Sequence, residues 1–397
     1  MFAEHALAAG LDFHGLPADP AVLTDPDLWH PRRGFGVVWR ATRPAMRELV
    51  RHVGALAPGA VDAIVAHPLA LHDADLCRAF HPRLKIVAAY LAPSNLRTVH
   101  GPLALGPVAM PSWLPAFARR WIWRAAEALV LHPAALADVN HDRAEVGTGA
   151  GRAPVTSLLD HLHGVADLSV GLFPAWFGPT QPDWPQPFCS GDFPLHDPAP
   201  QGDDKGAMAP LPPGLKNFLD AGAAPLVFTH GTGNRQAARY FAATVEAARL
   251  LGRRAILLTP ERTQLPADLP DTVWWQDYVP LRDLLAHIYP SGVAVLVHHG
   301  GIGTTAEALR VGVPQLVVPM AFDQFDNAAR VERLGAGLGI PARRVRAPAL
   351  AKGIASLLAQ PRIRVGCEAA RGHFSGGNQL DRAMAPIHLL ISKTGKN

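Results

Sequence analysis

The densest run of chemically useful residues lies at 293–309, VAVLVHHGGIGTTAEAL. An apolar run, a glycine-rich turn and the opening of a helix follow one another there. Such a turn offers free backbone N–H groups at the positive end of a helix dipole, and the chemistry this suits is anion binding, usually of phosphate. Glycine lets the backbone come close to the ligand, and Thr304 and Thr305 add hydroxyl donors. A Walker P-loop needs lysine before its Ser/Thr; Gly303 stands there, which argues against ATP hydrolysis of that kind. Gly301, Gly303 and Ala306 also satisfy G-x-G-x-x-A, with Asp323 about 20 residues on, after an apolar run. An NAD(P)-dependent oxidoreductase is therefore an alternative. Against it, the turn falls late in its domain, and neither the His298-His299 pair nor Asp323-Gln324 has a part in such a fingerprint.

These residues need strands and helices to hold them. Residues 226–229 (LVFT), 255–259 (AILLT), 273–275, 293–297 (VAVLV) and 315–319 (QLVVP) are short apolar runs without alternation. Parallel strands buried on both faces have this pattern. Helical stretches separate them: one after the loop 230–234 (HGTGN) through Leu251, others at 283–287, from Ala306 onward, and beyond 321–327 to Leu334. Earlier in the chain, a helix at 2–9 is stopped by Gly10, a short strand is expected at 11–14, and a helix at 36–56 follows. That helix carries Arg40, Arg43, Arg47 and Arg51 along one face, which reads as a solvated surface. Strands at 63–66 (AIVA) and 86–90 (IVAAY) flank a helix at 71–80 as one βαβ unit. Residues 113–124 interleave Trp113, Phe117, Trp121 and Trp123 with Arg119, Arg120 and Arg124. A packed, partly exposed helix and a foot at a bilayer surface both fit that segment.

The chain of 397 residues implies two or three domains at roughly 150 residues each. Residues 1–197 form one domain, 198–213 a Pro/Gly-rich linker and 214–375 a second domain. Residues 376–397 hold a helix returning to the first domain. Lys and Arg number 37 against 33 Asp and Glu, and the resulting charge of +4 is too mild to argue for a nucleic-acid partner. Cys77, Cys189 and Cys367 are scattered and have no metal-ligand spacing, which suits a reducing compartment. No apolar run reaches the ~18–20 residues of a membrane span, and the N-terminus has no signal-peptide pattern, so the expected place is the cytoplasm.

Tyr278-Val279-Pro280, then HHGGIGTTAEAL, then GVPQLVVPMAFDQFDNA at 312–328, resembles the donor-binding signature of family-1 nucleotide-sugar glycosyltransferases. The resemblance covers nearly the whole second domain. It is strongest to bacterial rhamnosyltransferases of rhamnolipid-type synthesis and to sterol and macrolide glucosyltransferases; APSNLR at 92–97 and GLFPAWFGPTQPDWP at 171–185 support that subgroup. It implies an α/β, GT-B architecture: two Rossmann-like doubly wound domains facing a cleft. It also implies inverting transfer from a UDP- or dTDP-sugar, of glucose or rhamnose type, to a hydroxyl of a lipophilic acceptor. No metal and no cofactor beyond the donor is expected.

By that resemblance His299 bonds the diphosphate, while Gly301, Gly303 and Thr304 cradle it. Glu307 accepts from the ribose hydroxyls, Asp323 and Gln324 hold the sugar, Tyr278 stacks on the base and Val279 offers backbone groups to its edge. Thr232 lies near the phosphates. His230, His298, Gly300 and Asn327 complete the candidate set, with His298 expected to be structural. The resemblance further implies an N-terminal strand–helix–strand, carrying the catalytic base, that lies before Met1. The first strand of a doubly wound sheet is central, so the expectation is a sheet with a gap and two unpaired edges. On this reading either the true start lies upstream or the product is an inactive nucleotide-sugar-binding remnant. His67, after the AIVA strand, is the candidate base within the chain, or else a cleft-edge histidine with no chemical role.

Overall fold

The computed structural model describes residues 2–101, 104–106, 108–111, 113–146, 153–195, 210–289, 294–374 and 380–392. The N-terminal half runs α1 (Phe2–Ala8), α2 (Gly34–Gly54), β1 (Ala63–Ala66), α3 (Leu71–Leu76) and β2 (Lys85–Tyr90). A small antiparallel pair follows, β3 (Ala104–Leu105) with β4 (Val108–Ala109). Then come α4 (Ala116–Ala126), a π-helical stretch over Glu127–Leu136, α5 (Ala137–Glu145), α6 (Leu158–Val165), β5 (Leu168–Gly171) and β6 (Phe188–Ser190). The C-terminal half runs α7 (Pro213–Asp220), β7 (Leu226–Thr229), α8 (Ala238–Leu250), β8 (Ala255–Leu258), β9 (Val273–Gln276), α9 (Leu281–Ile288) and β10 (Leu296–His298). It continues with α10 (Ile302–Val311), β11 (Gln315–Val317), α11 (Gln324–Arg333), β12 (Gly337–Gly339), α12 (Ala347–Ala359), α13 (Pro361–Gly372) and α14 (Leu380–Ser392). Among the described residues no helix is long and apolar enough to cross a membrane.

The C-terminal sheet is parallel throughout, in the order β12-β11-β10-β7-β8-β9. Counted from β7 this is the doubly wound order 3-2-1-4-5-6, and the direction of winding reverses between β7 and β10. Every residue of β7, β8, β10 and β11 is buried, which is why these runs read as continuous apolar sequence. α14 crosses back: Ala383 and Ile387 pack with Val87, Leu168 and Val170 on the N-terminal sheet. The expected linker falls largely at 196–209, outside the described residues.

Several expectations are corrected. Residues 11–14 form no strand, and Leu11 and Phe13 are exposed. The run at 293–297 is a strand only from Leu296, and Val293 lies outside the described residues. The following helix starts at Ile302, not Ala306, so half of the glycine turn is already the first turn of α10.

The N-terminal sheet has no central gap. β1, β2, β5 and β6 pair contiguously and in parallel, with β1 and β6 as the two edge strands, and on β1 Val65 is 59% exposed. The arginine face of α2 is also not uniformly solvated. Arg43 is buried, donates to Asp73 at 2.5 Å and to Asp142 at 3.5 Å, and lies over the Trp39 ring at 4.5 Å. His72 and His161 close this cluster, with ring nitrogens 3.2 Å apart. A buried guanidinium needs carboxylates, and α3 and α5 supply them; periodicity along α2 alone carries no sign of that.

Candidate functional site

The carboxyl end of the C-terminal sheet gathers residues from four strand exits. His230 and Thr232 follow β7, Tyr278 and Val279 follow β9, the turn from His299 follows β10, and Asp323 with Gln324 follows β11. The pairing of β7 with β10 brings His230 and His299 to a ring separation of 6.1 Å, at the point where doubly wound sheets open a ligand crevice.

The two adjacent histidines do different work. The Gly300 N–H donates to His298 Nδ1 at 3.1 Å, so the ring carries its proton on Nε2, which faces Gln315 Oε1 at 2.9 Å. His298 is fully buried, and burial pushes its pKa down to about 3. Its two ring nitrogens thus brace the turn. Gly300 sits at φ +92°, where a Cβ would meet Val317 Cγ1 at 2.8 Å and the Gln324 carbonyl at 3.0 Å. Only glycine fits there. Asn327 donates to the Gly300 carbonyl at 2.9 Å and to Asp323 Oδ2 at 2.8 Å, tying the turn to the start of α11.

His299 turns the other way, its plane at 88° to that of His298. Gly231 and Gly301 wall its ring: a Cβ on the first would lie 2.8 Å from Cε1, and on the second 2.5 Å from Nε2. Its Nδ1 is buried and has no hydrogen-bond partner among the described residues. Burial pushes its pKa down to about 4, so the ring is neutral at physiological pH. Beside it, Gly301 caps α10 with no side-chain hydrogen bond, and the first N–H groups of the helix have no intrahelical acceptors. Gly303 and Thr304 lie in that first turn. Thr305, one residue on, is buried with its hydroxyl unpartnered among the described residues.

His230 backs this wall. Its ring lies 4.3 Å from that of Tyr240, its Nδ1 is unpartnered among the described residues, and its pKa is pushed down to about 3 by burial and by His299. Thr232 is exposed at the crevice rim, and its carbonyl accepts from Arg235 at 2.8 Å. Tyr278 is 62% exposed with its ring face open, while Val279 is buried in the core beneath α9. Glu307 is half-buried, 3.9 Å from Arg310. Burial raises Asp323 to about 6. Gln324 already accepts the Met320 and Ala321 N–H groups on its Oε1, so its amide nitrogen is what it can offer a ligand.

Some parts of the site were not legible beforehand. Phe322, at φ +56°, is the only non-glycine residue with positive φ among those described; it presents Asp323 and meets Trp29 of the N-terminal half at 6.0 Å. Asn234 accepts the Gln236 N–H at 2.7 Å, shaping the loop after β7. Gln315 was visible only as a polar residue opening an apolar run. Across the cleft, Gln236 donates to the Asp25 carbonyl at 2.9 Å and Arg330 to the Phe177 carbonyl at 2.7 Å. His67 acts locally: its Nδ1 accepts the Leu69 N–H at 3.2 Å and caps the turn after β1.

Residues 246–374 match the family described as Erythromycin biosynthesis protein CIII-like, C-terminal domain. Glycosyltransferase GtfE of Amycolatopsis orientalis is 34% identical over 187 residues, 47% of this chain and 43% of that protein. The match therefore spans less than half the length of that curated relative. O-mycaminosyltylonolide 6-deoxyallosyltransferase of Streptomyces fradiae is 29% identical over 387 residues, 90% of this chain and 81% of that protein. Among solved structures, the glycosyltransferase VinC in complex with dTDP is 20% identical, with a TM-score of 0.61 over 98% of this chain and 90% of that one. The architecture is GT-B.

Proposed function

We propose that this chain, a family-1 glycosyltransferase by its C-terminal domain and its GT-B fold, moves a sugar from a UDP- or dTDP-sugar to a hydroxyl of a lipophilic acceptor. The observation that carries this reading is the buried, unpartnered His299 Nδ1 at the open N-terminus of α10, its ring seated against two glycines whose missing Cβ atoms make room for it. A diphosphate supplies the missing acceptor, and the helix N-terminus meets its charge. Asp323 and the Gln324 amide suit sugar hydroxyls on the acceptor side, and the open face of Tyr278 suits a pyrimidine base. The dTDP named with VinC favours thymidine over uridine.

In the proposed step the acceptor oxygen attacks the anomeric carbon, and the bond from that carbon to the diphosphate oxygen breaks with inversion. Charge then develops on the leaving diphosphate, where the α10 amides and His299 can hold it. The acceptor proton passes to a base on the N-terminal side of the cleft; His67 is the first candidate to mutate, its basic nitrogen being Nδ1 once released from the Leu69 N–H, because the neutral ring then carries its proton on Nε2. No metal and no further cofactor enters the scheme.

Calorimetry of the chain with dTDP, UDP and NAD+ tests the donor reading, and thin-layer or mass analysis with dTDP-sugars and hydroxylated lipophilic acceptors tests transfer. Binding of dTDP or UDP with no response to NAD+ is expected. Binding of NAD+ alone would move the assignment to an oxidoreductase, and nucleotide binding without transfer to any acceptor would mark an inactive binding protein.

A further inference from the structure

The helix α4 is turned inside out. Its inward side carries Arg119, which donates to the Val99 carbonyl at 3.0 Å, and Trp123, which donates to the Thr98 carbonyl at 2.9 Å. Glu127, just beyond, is buried and accepts from Ser157 at 2.8 Å and from the Leu159 N–H at 2.9 Å. Its outward side carries Phe117 and Trp121 one turn apart, each 67% exposed, and Leu129 in the π-helical stretch just beyond is 77% exposed. Trp113, just before the helix, is 78% exposed on the same segment. Two exposed arginines border this row, Arg120 and Arg124, and the guanidinium of Arg124 lies 5.8 Å from the Trp121 ring centre.

A surface helix of a soluble domain normally buries its apolar face. Here the hydrogen-bonding demands of the inner side are met by charged groups, and the apolar groups face outward. Charge sets the occupant. No Asp or Glu occurs between Asn95 and Glu127, and Glu127 points inward, so the exposed strip offers only positive charge beside tryptophan and phenylalanine. Tryptophan with arginine on a basic apolar face is the combination that seats a helix at a lipid headgroup layer, and anionic headgroups complement it. Trp123 anchors the helix to the loop after β2, at the carboxyl end of the N-terminal sheet, the end from which the Phe177 carbonyl meets Arg330 of α11.

We infer that this face docks on anionic phospholipid bilayers, holding the cleft mouth against the membrane surface. The inference stands apart from the sugar-transfer reading, because it needs neither nucleotide nor chemistry. Co-sedimentation of the full chain with phosphatidylcholine vesicles, with and without phosphatidylglycerol, tests it. Binding is expected only with phosphatidylglycerol and should weaken with salt. Arg120→Gln with Arg124→Gln should lower the partition constant about 30-fold, at about fivefold for each charge near the surface. Phe117→Ser with Trp121→Ser should lower it at least about tenfold, because less apolar surface enters the headgroup boundary. Both double variants should keep the parental far-ultraviolet circular dichroism and thermal midpoint, since all four side chains are exposed. Equal binding to both vesicle types, or unchanged binding by the Phe117/Trp121 variant, overturns the inference. So does a concentration-dependent dimer that this variant abolishes while the parent ignores vesicles.

Discussion

Replacing His299 by alanine should weaken nucleoside-diphosphate binding while leaving the fold almost untouched, and the structure says why the two separate. In the free chain the His299 Nδ1 has no partner among the described residues, so the substitution breaks no such bond there. The ring's packing between Gly231 and Gly301 is forfeited, but so is a buried polar atom that is costly to leave unpaired, and the two effects oppose each other. The loss therefore appears only when ligand is bound. A hydrogen bond to a charged group is worth about 1.5–3 kcal/mol, which is roughly a 10- to 150-fold rise in Kd for dTDP. Asp323→Ala should behave differently, since dTDP carries no sugar for it to hold: dTDP affinity stays near the parental value while transfer falls. There is also a pH signature. The free ring titrates at about 4, and a bound diphosphate beside it must raise that value. The complex then holds more protons than the free chain, so affinity should rise as the pH falls from 7 toward 5, and His299→Ala should flatten the curve. Calorimetry on both variants across that range decides the matter. Equal losses of dTDP affinity in the two, or an unchanged pH slope in His299→Ala, would refute the division of roles.

Gly300→Ala should cost about 2–5 kcal/mol, from a left-handed residue and a Cβ forced against Val317, read as a lowered urea midpoint. Arg43→Met should destabilise the N-terminal half by about 3–5 kcal/mol, because Asp73 and Asp142 remain buried without their cation; differential scanning calorimetry resolves this. Below pH 6.5 an unfolded chain protonates His230 and His298 while the native chain, with values of about 3, does not, so stability should fall by about 1.4 kcal/mol per pH unit for each. Asp323, raised to about 6, works in the opposite sense, returning stability as the pH drops below 6 toward the ordinary carboxylate value; urea titrations from pH 7 to 4 give the net slope. Transfer should persist in excess EDTA, and a rate that collapses on chelation and returns with Mg²⁺ would discard helix-terminal stabilisation of the leaving group.

The sequence by itself determined the parallel α/β character of the C-terminal half and singled out the glycine turn, His299 and Asp323 as candidates, which the structure brings to one end of the sheet. It could do so because buried parallel strands must be apolar throughout and a phosphate cradle must be glycine-rich, and both demands are written locally. The separate tasks of His298 and His299 also follow from adjacency on one strand end, where successive side chains point to opposite faces. What only the tertiary structure decided are relations between distant segments. The pairing of β7 with β10 set His230 against His299; the N-terminal strands paired contiguously, without the central gap that was expected; and Arg43 was drawn into the interior by carboxylates from α3 and α5. The outward apolar face of α4 belongs here too, since the inner side was claimed first by the carbonyls and hydroxyl that Arg119, Trp123 and Glu127 satisfy. The physical reason is common to all of them. A residue's own neighbours specify its strand or helix, but its burial and its charge state depend on which polar groups the fold brings within hydrogen-bonding reach, and those groups lie far away along the chain.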